Sequence, residues 1–138
     1  MNRQPIYSIR AIIWTTFLTG PLGGFIALWK NFRAFGDGDS AFKTILVGVG
    51  VTVALFIFYI FSEIEISFFY TLTNIIMTIL LGTVASRVQG TKIARYLAAG
   101  GSKKSTASIL GLMVLSVVII LLIATALVVV FETLGISY

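Results

Sequence analysis

Hydrophobic residues fall into four blocks along the 138-residue chain, with polar and charged residues in the gaps. The clearest block covers residues 108–131, where Leu115 through Ala124 carries only Ser116 as a polar interruption. That run exceeds the ~20 residues a helix needs to cross ~30 Å of hydrocarbon. A second block covers 44–61 and ends in Phe56, Phe58, Tyr59 and Phe61. A third covers 67–85 and opens with Phe68, Phe69 and Tyr70. The two aromatic clusters flank a short turn carrying Glu63 and Glu65. Paired aromatic clusters form a belt at one membrane surface, so these blocks read as two spans joined by a tight turn.

The first block, residues 11–29, is different. Its middle is Gly20-Pro21-Leu22-Gly23-Gly24. Proline removes a backbone donor and clashes with the preceding turn, and the glycines Gly20, Gly23 and Gly24 weaken a helix further. Two forms fit: a kinked fourth span, or two half-helices that enter and leave on one side as a re-entrant hairpin. A cleaved signal peptide fits less well, because Pro21 stands where a small-residue cleavage site belongs.

Charge orients these blocks. All ten basic residues lie outside the three clear spans. Arg87, Lys92, Arg95, Lys103 and Lys104 occupy residues 86–105 without an acid, so the positive-inside rule makes that segment cytoplasmic. The Glu63/Glu65 turn then lies outside, and Lys30, Arg33 and Lys43 lie inside. A spanning first block leaves Arg3 and Arg10 outside; a re-entrant one brings them inside with the rest.

Composition agrees with a single membrane domain over 1–138. Hydrophobic residues make up 58% of the chain and charged residues 11%, against about 45–50% and roughly 25% in soluble proteins. With no Cys and no His, disulfides, thiol chemistry, the usual zinc and haem ligands and imidazole catalysis are absent, and no metal or cofactor is expected. The net charge of +5 follows from the positive-inside pattern, so a nucleic-acid partner is not expected.

The connecting segments add local detail. Residues 31–40 read as a loop in which Asp39 or Ser40 caps the next helix; Asp37 and Asp39 lack the later ligand of a calcium loop. Residues 86–99 read as a short amphipathic helix on the inner surface. Val88, Ile93, Tyr96 and Leu97 can face lipid there, while Arg87, Lys92 and Arg95, with Lys103 and Lys104 beyond, meet anionic headgroups.

Candidate chemistry inside the spans is sparse. They contain no Asp, Glu, Lys, Arg or His, which argues against a proton-coupled transporter; Glu132 is read as interfacial. Asn74 is the most polar group at depth and should hydrogen-bond across a helix interface. Thr44, Gly48 and Thr52, and likewise Thr78, Gly82 and Ser86, lie four apart and allow close helix contact; Gly50 and Ala54 form a neighbouring row. Gly48, Thr52, Asn74 and Gly82 are therefore the candidate packing residues, within the span hairpin or between protomers of a homo-oligomer. No serine or threonine near Asn74 has a base to activate it, so no enzyme is read.

The stretches Tyr7-Ser8-Ile9-Arg10, Thr16-Phe17-Leu18-Thr19-Gly20-Pro21-Leu22-Gly23-Gly24 and Asn31-Phe32-Arg33-Ala34-Phe35-Gly36 resemble the opening of a widespread group of small uncharacterised bacterial multi-span membrane proteins. Gln89-Gly90 and Ala98-Ala99-Gly100-Gly101 are also similar. The chain departs from that pattern after Gly101, where Ser102-Lys103-Lys104-Ser105 replaces a longer polar and aromatic stretch. The resemblance implies a bacterial inner membrane and no catalytic activity. The expectation is an all-α membrane protein acting by helix packing as a scaffold, accessory subunit or immunity-type partner. The alternative is a small oligomeric channel or transporter with its site at the Gly20–Gly24 break.

Overall fold

The computed structural model describes residues 4–62 and 65–136; Arg3 and Glu63, used above to orient the chain, lie outside them. Five helices follow in order: α1 Ile9–Thr19, α2 Pro21–Ala34, α3 Gly38–Phe61, α4 Ile66–Ala98 and α5 Thr106–Thr133. Three of them are long and apolar enough to cross a membrane, namely α3, α4 from Ser67, and α5. Among the described residues there is no strand; one parallel bridge joins Ile6 to Lys103.

The first hydrophobic block is two helices. Gly20 breaks it with φ +78°, a backbone angle open to glycine but strained for residues with a Cβ. Pro21 then opens α2, at the position where its missing N–H has no helical partner to lose. Ser8 starts α1, its hydroxyl accepting from the Ala11 N–H at 3.2 Å. The two helices fold back on each other, and their far ends meet where Asn31 pairs with Tyr7. At 1.5 Å per residue they reach only about 16 and 21 Å, short of a ~30 Å hydrocarbon layer.

This hairpin is the centre of the molecule. Ten of the 14 residues of α2 are buried, whereas α3 buries only Ala41, Gly48 and Thr52. Helix α3 packs on α2, α4 packs chiefly on α1, and α5 touches both hairpin helices. The long helices scarcely meet one another. Helices α3 and α4 meet at the aromatic end, where Phe58 stacks on Phe69 at 4.7 Å and Tyr59 meets the same ring edge-on at 5.2 Å, and at the other end Lys92 of α4 reaches the Asp37 cap of α3. At that end Phe61 of α3 also meets Phe131 of α5, 5.6 Å between ring centres.

Glycines make the hairpin tight. A Cβ on Gly23 would overlap the hydroxyl of Thr19, and one on Gly24 the hydroxyl of Thr16. Those hydroxyls, with that of Thr15, donate back to the carbonyls of Thr15, Ile12 and Ala11 at 2.7–2.8 Å. The buried threonines thus satisfy themselves within α1 and present compact surfaces to α2.

Three expectations are corrected. Residues 31–34 belong to α2 and only Phe35–Asp37 form the turn, because the Asn31 amide is drawn into the protein interior. The cap of α3 is Asp37, which accepts from the Ser40 N–H at 3.1 Å, not Asp39 or Ser40, so that helix starts at Gly38 instead of residue 44. Residues 86–98 are not a separate surface helix; they continue α4, which passes Gly90 unbroken and leaves a connection of only 99–105. Ile93 is accordingly buried, and the Tyr96 hydroxyl donates to the Gln4 carbonyl.

The hairpin contact yields a test. Gly24→Ala should cost about 1–3 kcal/mol of stability through overpacking. Gly50→Ala, which meets open space in the interior of α3, should be neutral or stabilising by up to about 1 kcal/mol. Equal effects of the two in thermal melts of the detergent-solubilised protein would contradict the glycine-mediated contact.

Candidate functional site

Two places concentrate polar groups: the tip of the hairpin and its base. At the tip, a cavity of about 60 Å³ lies between Gly20, Pro21, Thr19, Thr52 and Asn74, with aromatic walls from Tyr59 and Tyr70. That is room for a few waters. Asn74 is 6% exposed, and its Oδ1 lies 3.6 Å from where a Gly20 Cβ would stand. Among the described residues, neither the Asn74 side chain nor the buried Thr78 hydroxyl one turn later has a hydrogen-bond partner. Within the single chain, Asn74 therefore makes no cross-helix hydrogen bond.

At the base, the amides are fully used. Asn31 Oδ1 accepts from the Tyr7 N–H at 2.7 Å, and its Nδ2 donates to the Tyr7 carbonyl at 2.8 Å. The side-chain amide thus pairs with Tyr7 as a neighbouring strand would. Nδ2 also donates to Gln89 Oε1 at 3.1 Å, and Gln89 Nε2 donates to the Leu28 carbonyl at 3.0 Å. Both amide side chains are wholly buried. On the other side of the same segment, the Ile6 N–H donates to the Ser102 carbonyl and the Lys104 N–H to the Ile6 carbonyl, at 3.0 and 2.8 Å. Burial raises the Tyr7 hydroxyl above its ordinary pKa.

The base also gathers charge. Arg10, Lys30, Arg33, Lys43, Arg87, Lys92, Arg95, Lys103 and Lys104 all lie on segments meeting at this end, whereas Glu65 and Glu132 lie at the aromatic end. Lys92 Nζ pairs with Asp37 Oδ2 at 3.0 Å, the one ion pair among the described residues. Its hydrogen bond to Lys92, then those from Ser40, lower the Asp37 pKa. Lys30, Arg33 and Lys104 converge on a cleft of about 370 Å³ lined also by Gln4, Pro5 and Trp29.

The expected packing residues are in contact, but with different partners. Gly48 faces Phe25 of α2, and Gly82 faces Ile13 of α1, whose Cγ1 would stand 3.0 Å from an added Cβ. Thr52 donates to the Gly48 carbonyl at 2.8 Å and lines the tip cavity. These residues seat the hairpin and do not join the spans to each other. Arg87 and Arg95 are exposed on α4 and Lys103 lies exposed in the connection to α5. Gln89 went unread as a structural residue, although a lone amide in a helix otherwise apolar on that face was the available signal. Comparison with family models, with curated proteins and with solved structures finds no match to this chain.

Two outcomes follow. Asn31→Leu strands both backbone groups of Tyr7, each of which should cost about 1–3 kcal/mol. Gln89→Leu removes one acceptor of the Asn31 amide and a second donor to the Leu28 carbonyl, which keeps its helical partner, and should cost less, about 0.5–1.5 kcal/mol. A double-mutant cycle should give a coupling of about 0.6–2 kcal/mol; strict additivity would show that the two amides act separately. For Asp37, a lowered pKa means the paired form stabilises the fold above the ordinary carboxylate range. That contribution is lost as pH falls through the lowered value. Lys92→Gln should move the Asp37 carboxyl titration upward, read by carbon-detected NMR; an unmoved titration would show the pair is not formed.

Proposed function

We propose that this chain is a non-enzymatic protein of a bacterial inner membrane that serves as a scaffold, accessory subunit or immunity-type partner. In this reading α1 and α2 form a re-entrant hairpin whose base opens on the cytoplasm, and the basic residues, including those of 86–105, lie on that side. The carrying observation is the central hairpin: it fills the space between the spans, and its base is closed by Asn31, Gln89 and Tyr7. A monomer so filled offers structure and surface, not a conduit.

The free faces support a partner-binding role. Gly48 and Gly82 are occupied by the hairpin, while Gly50 and Ala54 remain on an open face of α3 where another helix can approach closely. That partner is a second copy or a different membrane protein. The resemblance to small bacterial multi-span proteins fits the same setting.

One observation favours a second reading, an oligomeric channel or transporter. The tip cavity places the unpartnered Asn74 amide beside the Gly20 break, and broken helices in transporters bind ions and substrates at such places.

Single cysteines at Asn2, Asp37, Ser62 and Ser102 test the topology by labelling intact cells with an impermeant thiol reagent. Labelling at position 62 alone is expected. Labelling at both 2 and 62 would replace the re-entrant hairpin with a fourth span, and labelling at 102 would reverse the orientation. Liposomes carrying the purified protein should show no flux; flux abolished by Asn74→Leu would establish the second reading instead.

A further inference from the structure

The cleft at the hairpin base is built from three separate stretches of chain. Lys30 and Arg33 lie one turn apart at the end of α2, Lys104 comes from the connection before α5, and Gln4 and Pro5 close the side. None of the lining residues is acidic. The Arg33 guanidinium lies 5.6 Å from the centre of the Trp29 ring, and the Lys104 ammonium 6.0 Å from that of Tyr7. Cations at the end of α2 have an ordinary helix-stabilising effect. That effect gives no reason for Lys104 to join them from a segment more than 70 residues away in sequence.

Lys104 is held there by backbone. The Ile6 carbonyl accepts the Lys104 N–H, and the Ile6 N–H donates to Ser102; on the far side Tyr7 is clamped by Asn31. The three like charges are thus brought together on a fixed frame, with no carboxylate among the cleft residues to relieve their repulsion. An anion does relieve it. A guanidinium offers paired donors to phosphate oxygens, and lysines serve as point charges beside it. Lys92, by contrast, is already neutralised by Asp37.

We propose that this cleft is a binding site for a phosphate-bearing anion, held by Lys30, Arg33 and Lys104. The phosphate belongs to an anionic lipid headgroup or to a small soluble phosphate. The lipid source rests on the membrane topology proposed above. Binding of soluble phosphate does not, so failed topology labelling would leave the second arm of the test intact.

The test uses the full chain in detergent, carrying Trp14→Phe so that Trp29 is the only indole. Two charge-matched triples are compared: Lys30→Gln with Arg33→Gln and Lys104→Gln, and Arg87→Gln with Arg95→Gln and Lys103→Gln. Phosphatidylglycerol retained after purification is counted by native mass spectrometry, and Trp29 emission is followed as phosphatidylglycerol micelles or inorganic phosphate are added. The first triple should bind at least about tenfold more weakly, while the second stays within about twofold. Competition by millimolar inorganic phosphate identifies a soluble source; a response to phosphatidylglycerol alone identifies the lipid. Equal weakening in both triples would overturn the proposal in favour of diffuse surface attraction, as would no weakening in either. If the first triple does not fold, the single exposed change Arg33→Gln carries the same expectation with a loss of about threefold, and unchanged binding there overturns it.

Discussion

The three long helices hardly touch one another, and what joins them is the short hairpin between them. Helix α3 rests on α2, α4 on α1, and α5 on both. Between apolar helices in lipid there is little hydrophobic drive to associate, so close van der Waals packing has to supply it. The hairpin provides that packing because Gly23 and Gly24 let α2 lie directly against the threonines of α1. The same economy of bulk repeats outward, at Gly48 against Phe25 and at Gly82 against Ile13. Had the hairpin been bulkier, its two helices would stand apart and neither α3 nor α4 would keep its seat.

A helix end buried away from water must find partners for its backbone groups. The two ends of the hairpin meet this demand differently. The base is bound by side-chain amides, with Asn31 standing in for backbone to pair with both groups of Tyr7, and Gln89 tying that amide to the Leu28 carbonyl inside α2. The tip instead relies on Gly20 for its turn and leaves Asn74 facing a small cavity. One end is therefore fully satisfied and fixed, and the other keeps an unpaired amide. That asymmetry places rigidity at the charged end, where the cations of the cleft need a fixed frame.

The spans were readable because uninterrupted apolar length is a local property, and residues 44–61, 67–85 and 108–131 all lie within observed helices. The break at Gly20-Pro21 was equally plain, since both residues act on their own backbone. What could not be read locally depended on distant partners. Asn31 reads locally as the first residue of a polar loop, and only Tyr7, 24 positions earlier, and Gln89, 58 positions later, explain why its amide is buried. Residues 86–98 carried an amphipathic pattern that suits a membrane surface, yet Ile93 and Tyr96 turn to the protein. The small-residue rows were recognised, but their partners, Phe25 and Ile13, are not small and leave no mark at the same spacing.

Charge illustrates the same division between local and distant causes. The positive-inside rule accounts for an excess of Lys and Arg on one side, and it is indifferent to where on that side they stand. Random placement along the basal surface would satisfy it. The observed arrangement is more particular: Lys92 is matched with Asp37, Arg87 and Arg95 stand exposed along α4, and Lys30, Arg33 and Lys104 are drawn into one acid-free cleft. The last grouping exists because the Ile6–Lys103 bridge and the Asn31–Tyr7 pair hold the segment before α1 between α2 and the connection to α5. The hydrogen bonds that close the hairpin base are thus the ones that assemble the cations, so the structural lock and the candidate anion site are one construction.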